Sequence, residues 1–263
     1  NFAIGAFYQT PNYWKLMSPD NQQTLDNSFT KQYIFGLEKF LSEDTRLTLE
    51  IYKKEYFKRS ILESDITTND IEDDIDGGFN FLAIGEGFSN GIELFMQKKF
   101  SNNWYGTFSY SYSDSKAKKL RDNENRNEFY AWDFDSQNSL TMVGGYKLIF
   151  KDRFWYENLK DKKIFSVLAF MPFMPSDQYE ISFRYKVSDG LPFTEKRYDF
   201  NLRRWYVDPE IELNSSRENY YARLDVMFMR RFSLKKINVT TFIDIQNVFN
   251  RDKIELPLSD SYK

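Results

Sequence analysis

Residues 87–115 read GFSNGIELFMQKKFSNNWYGTFSYSYSDS, and their alternation decides the fold class. Ile92, Leu94 and Met96 point one way, while Glu93, Phe95 and Gln97 point the other. After Ser101-Asn102-Asn103, Trp104, Phe108, Tyr110 and Tyr112 share a side with Gly106, opposite Tyr105, Thr107, Ser109, Ser111 and Ser113. A two-residue period is that of a strand whose faces meet different surroundings, and the polar triplet between the runs is a hairpin turn.

The same split recurs along the chain. Tyr179, Ile181, Phe183, Tyr185 and Val187 oppose Glu180, Ser182, Arg184 and Lys186; Ala222, Leu224, Val226 and Phe228 oppose Arg223, Asp225 and Met227. Val239, Thr241, Ile243 and Ile245 oppose Thr240, Phe242, Asp244 and Gln246, and Leu47, Leu49 and Ile51 oppose Thr48, Glu50 and Tyr52. Fainter versions over 2–9, 31–41 and 136–149 bring the total to about nine strands. Short turns (Ser42 to Asp44, Ser101 to Asn103, Ser233 to Lys236) alternate with long polar loops at about 10–30, 58–88, 114–135 and 188–219. One end of the sheet is therefore trimmed and the other elaborated. The stretch 150–177 breaks this rule, with a short helix expected at Phe154–Lys160 before a Pro-containing apolar run.

Composition narrows the chemistry. The 263 residues include no Cys and no His, which excludes disulfides, thiolate and imidazole metal sites and the Ser-His-Asp and Cys-His mechanisms. A net charge of −3 gives no electrostatic footprint for nucleic acid. Aromatics make up 19% of a chain that is polar on average, which suits many half-buried strands better than one oily core. No run approaches the length of a membrane-spanning helix. The start at Asn1, in mid-pattern, reads as that of an excised or truncated segment.

Alternating strands of about ten residues, aromatic edges and short and long connections are the pattern of a transmembrane β-barrel, with the long loops expected on the extracellular side and the 150–177 excursion on the periplasmic side. Charge placement agrees: at the central positions of the six clear strands every charge falls on the polar face, where Lys or Arg avoids the roughly 2–4 kcal/mol cost of facing mid-membrane lipid. Tyr110, Tyr112, Tyr179 and Tyr185 lie on the apolar face, as interface girdles would. A soluble β-sandwich binding module also alternates and remains a competing reading, as does a passive or adhesive barrel.

Several phrases carry a family likeness. The stretch 87–115, DGLPFT (189–194), YYARLDVMFMRRFS (220–233) and FIDIQNVFNRDK (242–253) resemble, in order and spacing, the C-terminal part of the barrel of TonB-dependent outer-membrane receptors. YIFGLEKFLSEDTRLTLEIYKKEYFKR (33–59) resembles the strand pair before it. The resemblance implies an all-β, antiparallel segment of about nine strands from a barrel of about 22. The plug domain, the first barrel half and the last strand would then lie outside residues 1–263. It also implies uptake of a scarce, bulky nutrient of the ferric siderophore, cobalamin or glycan class across the bacterial outer membrane, with no catalysis and no cofactor. The implied partners are outer-membrane lipid, the plug and missing half-barrel, the TonB complex through the absent N-terminal region and an extracellular small molecule, with no nucleic acid.

Four candidate groups stand out. The loop aromatics Phe129, Tyr130, Trp132 and Phe134 fall near the expected outer rim, where they could stack on a ligand. Glu50, Glu93, Arg184, Arg223, Asp225 and Asp244 fall on expected lumenal faces, where charges meet a plug, a solute or each other. Glu72, Asp74 and Asp76, followed by Gly77, echo the start of a calcium loop; its twelfth position is Ala83 rather than Glu, so a solvated acidic loop is the plainer reading and no metal is expected. Gly85, Gly87 and Gly91 precede a strand, not a helix, and read as backbone freedom at a strand entrance rather than a phosphate cradle.

Overall fold

The structure is a computed structural model that describes residues 1–17, 25–62, 80–118, 128–162, 164–169, 171, 174–201, 203–208, 210–234 and 237–251. Its strands are β1 (Phe2–Gln9), β2 (Ser28–Ser42), β3 (Thr45–Leu62), β4 (Phe81–Ser101), β5 (Trp104–Lys118), β6 (Phe129–Ala131) and β7 (Asn138–Ile149). They continue with β8 (Gln178–Ser188), β9 (Pro192–Phe193), β10 (Arg197–Asp199), β11 (Arg204–Tyr206), β12 (Ser216–Arg217), β13 (Tyr221–Leu234) and β14 (Ile237–Ile245). A 3-10 turn at Tyr13–Leu16 and two short helices, α1 (Phe154–Lys160) and α2 (Phe165–Leu168), complete the described elements.

One antiparallel sheet of ten strands dominates, in the order β1-β2-β3-β4-β5-β7-β8-β13-β14, with β6 added beside β5. The nine strands of that path match the periodicity count. The pairs β9–β12 and β10–β11 are small separate ribbons inside the long connection from β8 to β13. Among the described residues, β1 and β14 are each paired on one side only.

Register shows that the two faces are consistent from strand to strand. Leu37, Leu49, Leu94, Tyr110, Leu140, Val187 and Ala222 lie in one cross-strand row. Gly36, Glu50, Glu93, Ser111, Ser139 and Ser188 form the neighbouring row on the opposite face. The apolar face is not covered by a second layer: Ile51 is 46% exposed, and Phe35, Ile92, Phe183, Phe228 and Ile243 are exposed with it. In water so large an apolar patch would drive aggregation; in lipid it is the ordinary outer surface of a barrel wall.

The turns step sideways regularly. Thr45, at one turn, pairs with Lys98, three residues before β4 ends at Ser101. Trp104 pairs with Tyr146, three before β7 ends at Ile149, and Gln178 pairs with Arg231, three before β13 ends at Leu234. Three residues rise about 10 Å across two strand spacings of about 4.8 Å each, so turns at one level require strands tilted by about 45°. That is the tilt of membrane barrel strands.

Strand ends differ from the sequence reading. β3 and β4 extend through Leu62 and from Phe81, and β5 reaches Lys118, so the loops drawn at 58–88 and 114–135 are partly strand. Beyond the belt both faces meet polar surroundings, so the two-residue period that marks a strand fades there. The glycines are corrected as well. Among the described residues no glycine has positive φ. Gly91 lies within β4 because the Tyr52 ring covers it: a Cβ there would sit 2.4 Å from that ring.

The only sizeable cluster of fully buried apolar groups among the described residues lies at the turn end, where 150–177 folds back on the outer face. Tyr156, Phe165 and Ala169 pack on Phe232, with Phe150, Leu159 and Val239 around them. Burial, then the negative charge of Asp177, holds the Tyr156 phenol above its ordinary range. The insertion accounts for a charge the periodicity did not treat: Arg230 stands on the same face as Phe228 and Phe232, yet is 4% exposed. Its guanidinium donates to the carbonyls of Met171 (2.7 Å) and Ala169 (2.6 Å) and to Ser176 Oγ. Lys98, also on the outer face, is covered in a similar way by Asp44 (2.5 Å), Ser101 and the Trp104 ring. The hydrogen bond from Lys98 holds the Asp44 carboxyl well below the usual carboxylate range.

Candidate functional site

At the loop end, three connections fold over the polar face of the wall. The first is the 3-10 turn: Trp14 meets Phe81 edge-on at 5.2 Å, and Lys15 lies over the Phe81 ring. Burial, and then the charge of Arg59, lowers the Lys15 ammonium below its ordinary range. The second is the β5–β7 connection. The third runs from β8 to β13.

The second connection carries the aromatics singled out in the sequence. Phe129 and Tyr130 are strand residues of β6, paired with Lys118 and Ala117. Trp132 turns inward onto β3 and β4. It meets Tyr56 edge-on at 5.2 Å and lies under the Arg59 guanidinium, 4.1 Å from the ring centre. Gly87 leaves the room, since a Cβ there would be 3.1 Å from the indole. Phe134 stacks on Trp132 at 5.0 Å and remains 55% exposed. The four residues are therefore not one patch: Trp132 is buried over the polar face with Phe134 stacked open upon it, whereas Phe129 meets Phe88 edge-on at 5.2 Å on the outer-facing side of β4 and β5.

Asp135 locks this connection in place and was missed in the sequence. It is 1% exposed and accepts the Ser115 amide at 2.9 Å and Arg217 at 2.5 Å. Arg217 also donates to the Asp135 carbonyl, and Asn214 bridges the carbonyl of Ala131 and the carboxylate of Asp133. Asp189 completes the clamp by accepting from the backbone and side-chain amides of Asn138. These partners lie up to 83 residues apart, so spacing could not reveal them.

The six charges expected in the lumen lie on the polar face of the sheet and split into two groups. Glu50 and Glu93 are direct cross-strand partners on β3 and β4. Arg184 faces Asp225 across β8 and β13, and Arg223 donates to Asp225 at 2.7 Å and to Gln246 at 3.1 Å. Asp225 also accepts the Asn247 amide, while Gln246 donates to Asp244. The second group ties the start of the QNVFN segment to the RLD strand. No cluster of three or more metal-ligating side chains occurs among the described residues. Glu72, Asp74 and Asp76 lie outside the described residues.

An antiparallel wall of sequential strands with an exposed apolar face and one elaborated end has the architecture of an outer-membrane β-barrel wall. No protein-family model matches the chain, and no curated protein sequence does either. Solved structures do. The ferripyoverdine receptor of the outer membrane of Pseudomonas aeruginosa, bound to ferripyoverdine, superposes with a TM-score of 0.60 at 12% identity over 94% of this chain and 26% of that one. The siderophore receptor PiuA from Acinetobacter baumannii gives 0.55 at 16% identity over 95% of this chain and 29% of that one. The chain therefore spans little more than a quarter of those receptors. The motif resemblance to TonB-dependent receptors holds at the level of fold.

Proposed function

We propose that the chain is the C-terminal part of the barrel wall of an outer-membrane receptor that takes up a scarce, bulky nutrient, the ferric siderophore class foremost, with energy supplied through TonB. The observation that carries this is the match of nearly the whole chain to siderophore-receptor barrels, joined to the inward-folded loop end. In this reading about 22 strands close the barrel, β1 and β14 pair with strands outside residues 1–263, and a plug fills the polar interior.

The chain's own groups would supply a rigid wall and a ligand-facing rim. Phe134 presents an open ring face, and the Asp135–Arg217 and Asn214 contacts hold its connection over the polar face. Glu50 and Glu93 place two carboxylates side by side on that face, where they favour a cationic plug or solute group over an anionic one. The role is transport rather than catalysis.

The test is growth and labelled-iron uptake in an iron-limited host with the gene deleted and restored. Loss of uptake of a ferric siderophore on deletion, and equally on removal of TonB, supports the proposal. Uptake that survives without TonB would make it a passive barrel. Loss of cobalamin or glycan uptake instead would move the substrate class.

A further inference from the structure

We propose that the 150–177 insertion is a lipid-interface foot, which lies on the outer face of the wall at its turn end and beds Phe154, Trp155, Ile164 and Met171 in the headgroup region of the phospholipid leaflet. The inference rests on the barrel reading above.

Position is the first argument. Tyr179, Arg230 and Thr241 form one outer-face row, and the next row toward the belt is Ile181, Phe228 and Ile243, all exposed. The insertion covers Arg230 and Phe232 and stops where the bare apolar surface begins. Its own surface therefore continues the lipid-facing belt at the depth where a membrane gives way to water.

Burial is the second. Tyr156 and Phe165 are buried against the sheet, yet four other large apolar side chains of the insertion are bare: Phe154 is 80% exposed and Trp155 49%, and Ile164 and Met171 are exposed too. A foot hanging in water would put polar residues there; aromatic rings at this level suit the headgroup boundary.

Charge identifies the occupant. Lys151, Arg153 and Lys162 are exposed, and Asp152, Glu157 and Asp161 are exposed among them. Among the described residues this balance of three exposed basic and three exposed acidic side chains suits zwitterionic headgroups. The guanidinium of Arg230 is satisfied by Ala169, Met171 and Ser176 rather than by water, so the foot also supplies the hydrogen bonds that lipid cannot.

Residues 1–263 contain no Cys, so once any cysteine elsewhere in the full-length protein is replaced by Ser, single cysteines report cleanly. The full-length protein carrying Phe154→Cys, Ile164→Cys or, on the belt, Phe108→Cys would be labelled with an environment-sensitive dye. It would then be reconstituted in phosphatidylcholine and phosphatidylethanolamine vesicles. The expected result is blue-shifted emission at 154 and 164, quenched by spin-labelled lipid and spared by iodide, as at 108. Iodide quenching at 154 and 164 with lipid quenching at 108 would overturn the foot and leave the barrel standing. Shielding of 154 and 164 from both quenchers would assign the surface to a protein partner and also overturn it. Iodide quenching at 108 would instead remove the barrel reading.

Discussion

The two ends of the wall each hold an arginine away from bulk water, and they do it differently. At the loop end Arg217 meets the buried carboxylate of Asp135 and stays partly exposed, with side-chain exposure of 29%. At the turn end Arg230 is nearly inaccessible, and its described hydrogen bonds all end on neutral oxygens of the 150–177 insertion. The difference follows the solvent. Where water is close, an ion pair positions a connection cheaply and its strength varies with salt. Under the insertion Arg230 is cut off from water, so the carbonyls of Ala169 and Met171 and the Ser176 hydroxyl take the place of its hydration shell.

This comparison can be broken most severely at the turn end. Replacing 152–176 with a short turn would expose Arg230 to lipid and remove the Tyr156–Phe165–Phe232 packing. The expected loss is about 0–1 kcal/mol for an arginine facing lipid near the interface, plus about 3–5 kcal/mol for losing the buried aromatic packing, read as a lower urea midpoint in detergent or vesicles. Arg230→Leu should reverse sign with context: it should partly restore the shortened protein but destabilise the intact one, where the Ala169 carbonyl would be orphaned and Met171 and Ser176 would each lose a partner. Additive effects in that double-mutant cycle would show that the insertion and the arginine act independently.

At the loop end, Asp135→Ala should cost less, about 1–3 kcal/mol, because Arg217 can still reach water. Its clearer signature is local: proteolysis within 128–137 and 189–220 should rise more than the accompanying fall in urea midpoint accounts for. Phe134→Ala should be smaller still in stability, since that ring is half out in solvent, but should weaken ligand binding if the rim reading is right. A drop in stability with unchanged binding would make Phe134 simple packing.

Acid sharpens the contrast further. Burial, the largest single influence, pushes the Asp177 carboxyl up, but hydrogen bonds from Ser233 and Lys160 outweigh it and leave the group below its ordinary 3.8. A depressed carboxylate contributes stability that is complete above its ordinary value and is lost as pH falls through its folded value. Thermal melts should therefore be flat from neutrality down to about pH 5 and decline below the ordinary 3.8, with Asp177→Asn removing part of the decline.

The strands and their faces were legible in the sequence because each carries its own evidence: Ile92, Leu94 and Met96 against Glu93, Phe95 and Gln97 need no distant partner to be read. Short and long connections were legible for the same local reason. The inward fold of Trp132 was not, because Gly87 and Tyr56 make room for it from other strands. Nor was the Asp135–Arg217 pair, whose members stand 82 residues apart. Arg230 looks in sequence like a breach of the outward apolar pattern, and only contacts 54 to 61 residues away explain it. What sequence period shows is which way a side chain points; what it leaves out is what else folds over it.

The central claim is that one face of this sheet is solvated by lipid and the other is not. A nitroxide scan along β5, one single-cysteine variant at a time from Trp104 to Ser113 in the reconstituted full-length protein, tests it most directly. The account predicts a two-residue alternation, with access to lipid-dissolved oxygen highest at Phe108, Tyr110 and Tyr112 and lowest at Thr107, Ser109 and Ser111. Uniform access to an aqueous relaxant on both faces, or an alternation with the serines toward lipid, would contradict it.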